Sequence, residues 1–215
     1  MTRPILSSDF ATVAPDELAL LARMLRHVAA FPKARAIATA LLAEFGGLPA
    51  VMFADESRLR TVGLITDAVV SELALIRTVH EDLARARLRK RPLIGSWSEL
   101  VAYCRIILAH DRFECFRVLF IDRKNHLIAD EEFARGSVDH VAVYPRRIIA
   151  RALELDACAL ILAHNHPSGD PTPSPDDIAM TGQIRDAARL FGIVLHDHVI
   201  VSVSGELSFR SEGLL

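Results

Sequence analysis

A chain of 215 residues with 51% hydrophobic content is long and apolar enough for one large or two small folded domains with a real core, and its composition does not suggest disorder. A net charge of -2 excludes a global electrostatic pull toward nucleic acid or anionic membrane. No apolar run reaches the length of a membrane helix, the first residues lack a signal-peptide core, and Cys104, Cys115 and Cys158 form no disulfide framework, so reduced thiols in a cytoplasmic protein are expected.

Residues 15–28 read as a helix, with Leu18, Leu21, Ala22 and Leu25 on one face and acids at its start. Pro32 separates it from a second predicted helix, residues 33–45, which Gly46-Gly47 stops. Shorter helical pieces follow to residue 64, and Thr66 caps a long helix to about residue 88. This first part reads as all-α. Its last helix ends in the basic run Arg85-Ala-Arg-Leu-Arg-Lys-Arg91. Such a run can bind phosphates, but cations also suit the C-terminal end of a helix beside a linker. Weak, non-specific DNA contact at most is expected there. Residues 92–95 mark the boundary, giving a helical domain over 1–92 and a second domain over 93–215.

The second domain opens on a capping-box pattern, Ser96-Trp-Ser-Glu99, and a helix to about residue 109. Residues 115–121 read as a strand, Asp122-Arg-Lys-Asn125 as a turn, and residues 126–135 as the partner strand. Pro145 starts a helix to residue 155. The apolar run Ala157-Cys-Ala-Leu-Ile-Leu-Ala163 reads as a fully buried strand. Residues 175–191 read as a helix closed by Gly192. Residues 193–204 read as a strand, followed by a turn at Gly205 and a short strand through Phe209. The mixture makes the fold class α/β, a central sheet with helices against it.

Chemistry concentrates between the buried strand and the last helix, in Leu162-Ala-His-Asn-His-Pro-Ser-Gly-Asp-Pro-Thr-Pro-Ser-Pro-Asp-Asp177. If the strand continues, His164 and His166 point the same way and make half of a zinc site. Asp177 is the natural third ligand, one helical turn past Ser174. The same Ser174-Pro-Asp-Asp177 is also a good helix start, with Ser at the N-cap and Pro at the first helical position. A metal-activated water needs a general base, for which Glu114, Glu131, Glu132 and Asp170 are available. Asn165, pointing away from the histidines, suits fixing the loop backbone. His196-Asp197-His198 is a second His-x-His, with no third ligand at a useful spacing. No activated Ser or Cys nucleophile is evident.

His164, His166, Ser174 and Asp177 match the JAMM (MPN-type) metalloprotease motif, and the longer string Ala-His-Asn-His-Pro-Ser-Gly-Asp-Pro-Thr-Pro-Ser resembles the RadC family. The resemblance runs from about Ser96 to Leu215, including the closing Ser208-Phe-Arg-Ser-Glu-Gly-Leu-Leu215, and is weaker over the first ninety residues. It implies a C-terminal JAMM/MPN-like domain with a central mixed sheet flanked by helices. It implies a zinc hydrolase cleaving a peptide or isopeptide bond of a protein or peptide substrate, with Zn2+ on His164, His166 and Asp177. It places the catalytic Glu at Glu114, gives Ser174 to the oxyanion, and points to Asp197 and His198 as supports behind a ligand. The N-terminal part resembles a helix-hairpin-helix module at Val62-Gly-Leu-Ile-Thr-Asp67, degenerate because only Gly63 remains where two glycines would hold a phosphate. The RadC resemblance also carries an alternative, a DNA-repair accessory protein, and the MPN resemblance a metal-bearing scaffold without turnover.

Overall fold

The computed structural model describes residues 15–89, 97–136 and 143–215. The chain packs as two compact units, Met1–Thr78 and Val79–Leu215. The linker expected at residues 92–95 lies outside the described residues, as do Lys90 and Arg91 of the basic run and Ser96 of the expected capping box.

Among the described residues, the regular elements of the first unit are all helices. It holds α1 (Pro15–Met24) with a 3-10 turn over Leu25–His27, α2 (Phe31–Phe45), α3 (Leu48–Met52), α4 (Glu56–Leu59) and the start of α5 (Asp67–Arg89). Leu21, Leu25, Ile37, Leu41, Leu42 and Leu73 form its core. Pro32 lies inside the first turn of α2, where a missing N–H breaks no helical bond, rather than between two helices as expected. Gly46 ends α2 at φ 84°, a left-handed cap that favours glycine. In the hairpin before α5, Val62 and Ile65 pack against the core, and the exposed Asp67 carboxylate pairs with Arg60.

The second unit carries α6 (Trp97–Leu108), β1 (Glu114–Ile121), β2 (Leu127–Gly136), α7 (Pro145–Glu154), β3 (Ala159–Asn165), α8 (Pro175–Leu190), β4 (Val194–Val201) and β5 (Glu206–Ser208). One five-stranded sheet runs in the order β2-β1-β3-β4-β5. β3 and β4 pair parallel, joined by the crossover helix α8, and the other pairs are antiparallel, so the sheet is mixed as expected.

Strand alternation divides the core between the two faces. Leu119, Ile121, Ile161, Ala163, Val199 and Val201 pack with Leu100, Cys104 and Leu108 of α6. Phe116, Val118, Phe120, Leu160 and Leu162 pack with Ile148 and Ile149 of α7 and Ile184 and Ala188 of α8. β3 is central, covered on both faces and buried at every residue, which explains its unbroken apolar run. Late in α5, Leu88 joins the α6 face of this core. One turn earlier, Arg85 donates to the Tyr103 hydroxyl at 3.1 Å and to Asp82 at 2.9 Å, which takes it out of the exposed basic run.

Candidate metal centre

The site forms where β3 ends and α8 begins. His164 is the penultimate residue of β3, and the ladder continues one step past the strand, with the His166 N–H donating to the Val201 carbonyl at 3.0 Å. Alternation is therefore preserved, and the two imidazoles meet with their Nε2 atoms 3.0 Å apart. Asp177, in the first turn of α8, completes the group: its Oδ1 lies 3.3 Å from His164 Nε2 and its Oδ2 3.5 Å from His166 Nε2. Among the described residues, one ligand atom from each of these three falls within 4.8 Å of the others.

A capping box mounts the carboxylate. Asp177 Oδ2 accepts from the Ser174 N–H at 2.8 Å and from the Ser174 hydroxyl at 2.6 Å, while Ser174 Oγ accepts from the Asp177 N–H at 3.1 Å. The stretch is the helix start that its sequence suggests, and the carboxylate it caps is the one beside the histidines. Ser174 holds Oδ2 on the His166 side, and Oδ1 is left to face His164.

Hydrogen-bond direction shows what the site wants. His166 Nδ1 is 2.8 Å from the Asp170 carbonyl, which can only accept, so the ring donates there and a neutral His166 keeps a lone pair on Nε2. That lone pair faces the carboxylate and the second imidazole. In that form His166 Nε2 and the Asp177 carboxylate both present lone pairs beside His164 Nε2, a donor set that suits a divalent cation. Two imidazoles and one carboxylate fit zinc with a coordination position left open.

The electrostatics follow from burial and these contacts. His164 is fully buried, and burial pushes it down to about 4 despite the Asp177 charge. His166 moves up, mainly through its hydrogen bond with Asp177, with smaller help from the Asp170 carbonyl and the charge of Glu114. Burial alone would raise Asp177, but the His166 hydrogen bond, the neighbouring His164 and the Ser174 donors hold it far below the usual carboxylate range.

Glu114 is the first residue of β1. Phe116 pairs with His164 and packs on the α8 side, so by alternation Glu114 shares the metal-ligand face. Asn165, fully buried, holds the backbone on either side of it. Its side-chain oxygen accepts from the Cys115 N–H at 2.9 Å, and its amide donates to the carbonyls of Asp111 at 3.2 Å and Phe113 at 3.0 Å. The residue between the two histidines thus fixes the segment that carries Glu114. Of the other candidate acids, Glu131 pairs with Arg151 at 2.7 Å, Glu132 with Arg135 at 2.9 Å, and Asp170 accepts from the Thr172 hydroxyl at 2.7 Å.

The second His-x-His does not form a site. His198, fully buried and stacked on Phe209, lies directly behind His164, with Nε2 2.7 Å from His164 Nδ1. Asp197 instead ties down the chain after β5, accepting from the Ser208 hydroxyl at 2.5 Å and the Arg210 N–H at 3.0 Å. His196 is half-buried. Behind His198 stands Thr181, its Oγ 2.6 Å from His198 Nδ1. Thr181 was not singled out from the sequence. The one signal was its place on α8, a turn after Asp177.

A mixed sheet whose central strand delivers a His-x-His to a carboxylate at the start of the crossover helix is the layout of a JAB/MPN-type domain. Residues 94–214 match the RadC-like JAB domain family. A UPF0758 protein of Rhodobacter capsulatus is 57% identical over 179 residues, which cover 83% of this chain and 84% of the relative. A UPF0758 protein of Ruegeria pomeroyi is 52% identical over 179 residues, covering 83% of this chain and 80% of the relative. The chain belongs to the RadC family, with its JAB domain C-terminal and preceded by helices.

Proposed function

We propose that the chain is a zinc-dependent hydrolase of the JAMM type that cleaves a peptide or isopeptide bond in a protein or peptide substrate of the cytoplasm. The observation that carries this reading is the convergence of His164, His166 and Asp177 on one point, on the face that Glu114 shares. Zinc bound there supplies Lewis acidity, which activates water and polarises a carbonyl. His164, His166 and Asp177 hold it. Glu114 takes a proton from the attacking water and passes one to the leaving amine. The Ser174 hydroxyl, which donates to Asp177 Oδ2 at 2.6 Å, serves the oxyanion by turning toward the substrate oxygen. A DNA-associated role gains nothing from Arg85, whose guanidinium is engaged within its own unit.

The test is a peptide-library cleavage screen with zinc-loaded protein, run beside Glu114→Gln. That variant keeps size and loses basicity, so zinc content and folding should hold while turnover falls by roughly a hundredfold or more. Loss of zinc in Glu114→Gln would make Glu114 a ligand, and full activity would place the base elsewhere. No cleavage by well-folded, zinc-loaded protein would favour the scaffold reading.

A further inference from the structure

Three short contacts lie in series behind the site. Thr181 Oγ is 2.6 Å from the Asp177 carbonyl oxygen, His198 Nδ1 is 2.6 Å from Thr181 Oγ, and His198 Nε2 is 2.7 Å from His164 Nδ1. Each needs one hydrogen between its heavy atoms. The Asp177 carbonyl carries none, so the Thr181 hydroxyl must donate to it. Thr181 Oγ has no second hydrogen, so the next contact takes its proton from His198 Nδ1. The ring of His198 is fully buried against the Thr181 hydroxyl, the His164 imidazole and the rings of Phe116 and Phe209, and both of its nitrogens are taken up by Thr181 and His164. With Nδ1 donating to Thr181 and the ring enclosed at full burial between aromatic faces, His198 takes the neutral form and its Nε2 is an acceptor. The last contact then takes its proton from His164 Nδ1. The lone pair of His164 is left on Nε2, the atom that faces His166 and Asp177.

We infer that Thr181 and His198 are positioning residues: they fix His164 in its Nδ1–H tautomer before metal arrives and present its Nε2 lone pair to the ion. This rests on the reading of His164 as a metal ligand. The relay joins all three elements of the site. It starts at the main-chain carbonyl of one ligand, Asp177 on α8, passes through His198 on β4, and ends at the ring of another, His164 on β3. The opposite assignment, with Thr181 donating to His198, leaves two oxygens 2.6 Å apart with no hydrogen between them and puts the His164 proton on the metal-facing nitrogen. Directionality is set by a single helix hydroxyl. Its removal frees both rings to reverse, and reversal costs metal affinity without removing any ligand.

The test uses the full chain in its metal-free and cobalt- or zinc-titrated forms. Nitrogen-15 spectra of metal-free wild type at neutral pH should show His164 and His198 both protonated at Nδ1. Thr181→Val keeps the side-chain shape and removes the hydroxyl. It should fold normally, shift His198 toward the Nε2–H form, and weaken zinc and cobalt binding by roughly tenfold to a hundredfold. Thr181→Ser restores the hydroxyl and should bind metal within about threefold of wild type. Should Thr181→Val fail to fold, the wild-type spectrum decides alone. A His164 proton on Nε2 in that spectrum overturns the relay, as does unchanged metal affinity in a folded Thr181→Val. Wild type that shows both Nδ1–H tautomers yet binds no metal overturns the metal-ligand reading and leaves the relay standing.

Discussion

Two His-x-His stretches lie on neighbouring parallel strands of one sheet, and only the first converges. At His164-Asn165-His166 the ladder between β3 and β4 is regular to its end, so residues two apart share a face and the two imidazoles meet. At His196-Asp197-His198 the register shifts: Leu160 pairs with Leu195, but Ile161 pairs with Asp197. His196 is the extra residue. An extra residue breaks the alternation that the spacing relies on, so His196 and His198 part company. Spacing specifies a shared face only where the strand is regular. The middle residues do similar work in both stretches. Asn165 holds the segment before β1, and Asp197 holds the segment after β5.

The largest expected effect breaks the comparison outright. His164→Ala should abolish zinc binding, because a ligand is gone. His196→Ala should retain about one zinc per chain, because His196 lies outside the ligand group. Elemental analysis of protein purified without added metal reads both. Full occupancy in His164→Ala, or loss of zinc in His196→Ala, would exchange the two stretches and end the site assignment.

A second effect follows from which histidines are buried neutral. Burial pushes His164 from 6.5 down to about 4, and pushes His198 well below 6.5, with the His164 neighbour adding to the effect. In the unfolded chain both return to ordinary values and bind protons first as pH falls. Their contribution to stability is therefore complete above about 6.5 and is lost as pH drops toward 4. His166 runs the other way, because its hydrogen bond with Asp177 raises it. It stabilises most below 6.5, and that stabilisation fades as pH rises through its folded value. Burial also pushes the part-buried His110 and His196 down, so the lowered histidines outnumber the one raised, and metal-free protein should lose urea resistance between pH 7 and pH 5. His198→Gln should flatten that slope more than His196→Gln, since His196 is only half-buried. A flat wild-type profile would mean that the buried histidines carry charge in the folded chain.

Local periodicity was enough to place most elements, and the reasons differ for what it missed. β3 announces itself because a central strand must be apolar on both faces, and the capping box announces α8. The three candidate ligands were legible because they sit on those two elements at fixed spacing. The bulge at His196 was not, because a register shift is a decision taken jointly by two strands. The partners of Asn165 lie about 50 residues earlier in the chain, beyond any periodic signal. Thr181 looked like an ordinary helix residue because its role depends on β4 passing behind it. Pro32 misled for a smaller reason: a proline breaks a helix interior but is welcome in the first turn.

The smallest effect sharpens the comparison at its middle residues. Asn165→Ala removes the acceptor for the buried Cys115 N–H and the donors to two carbonyls. Asp197→Ala removes the acceptor for the N–H groups of His198 and Arg210 and for the Ser208 hydroxyl. Groups left without partners cost about 1–3 kcal/mol in either case, so both variants should melt several degrees lower by similar amounts. Stability therefore cannot tell them apart, but turnover can. Asn165 fixes the segment that carries Glu114, and a base displaced by about 1 Å can lose as much as a hundredfold in rate. Asn165→Ala should lower kcat with KM and zinc content nearly unchanged. Asp197→Ala also loosens the His198 backbone behind His164, so it should weaken zinc affinity but keep the kcat of wild type once saturated with zinc, because nothing it holds carries the proposed base. Equal kcat losses in the two variants would mean that the loss comes from general loosening, and Asn165 would then have no particular hold on the base.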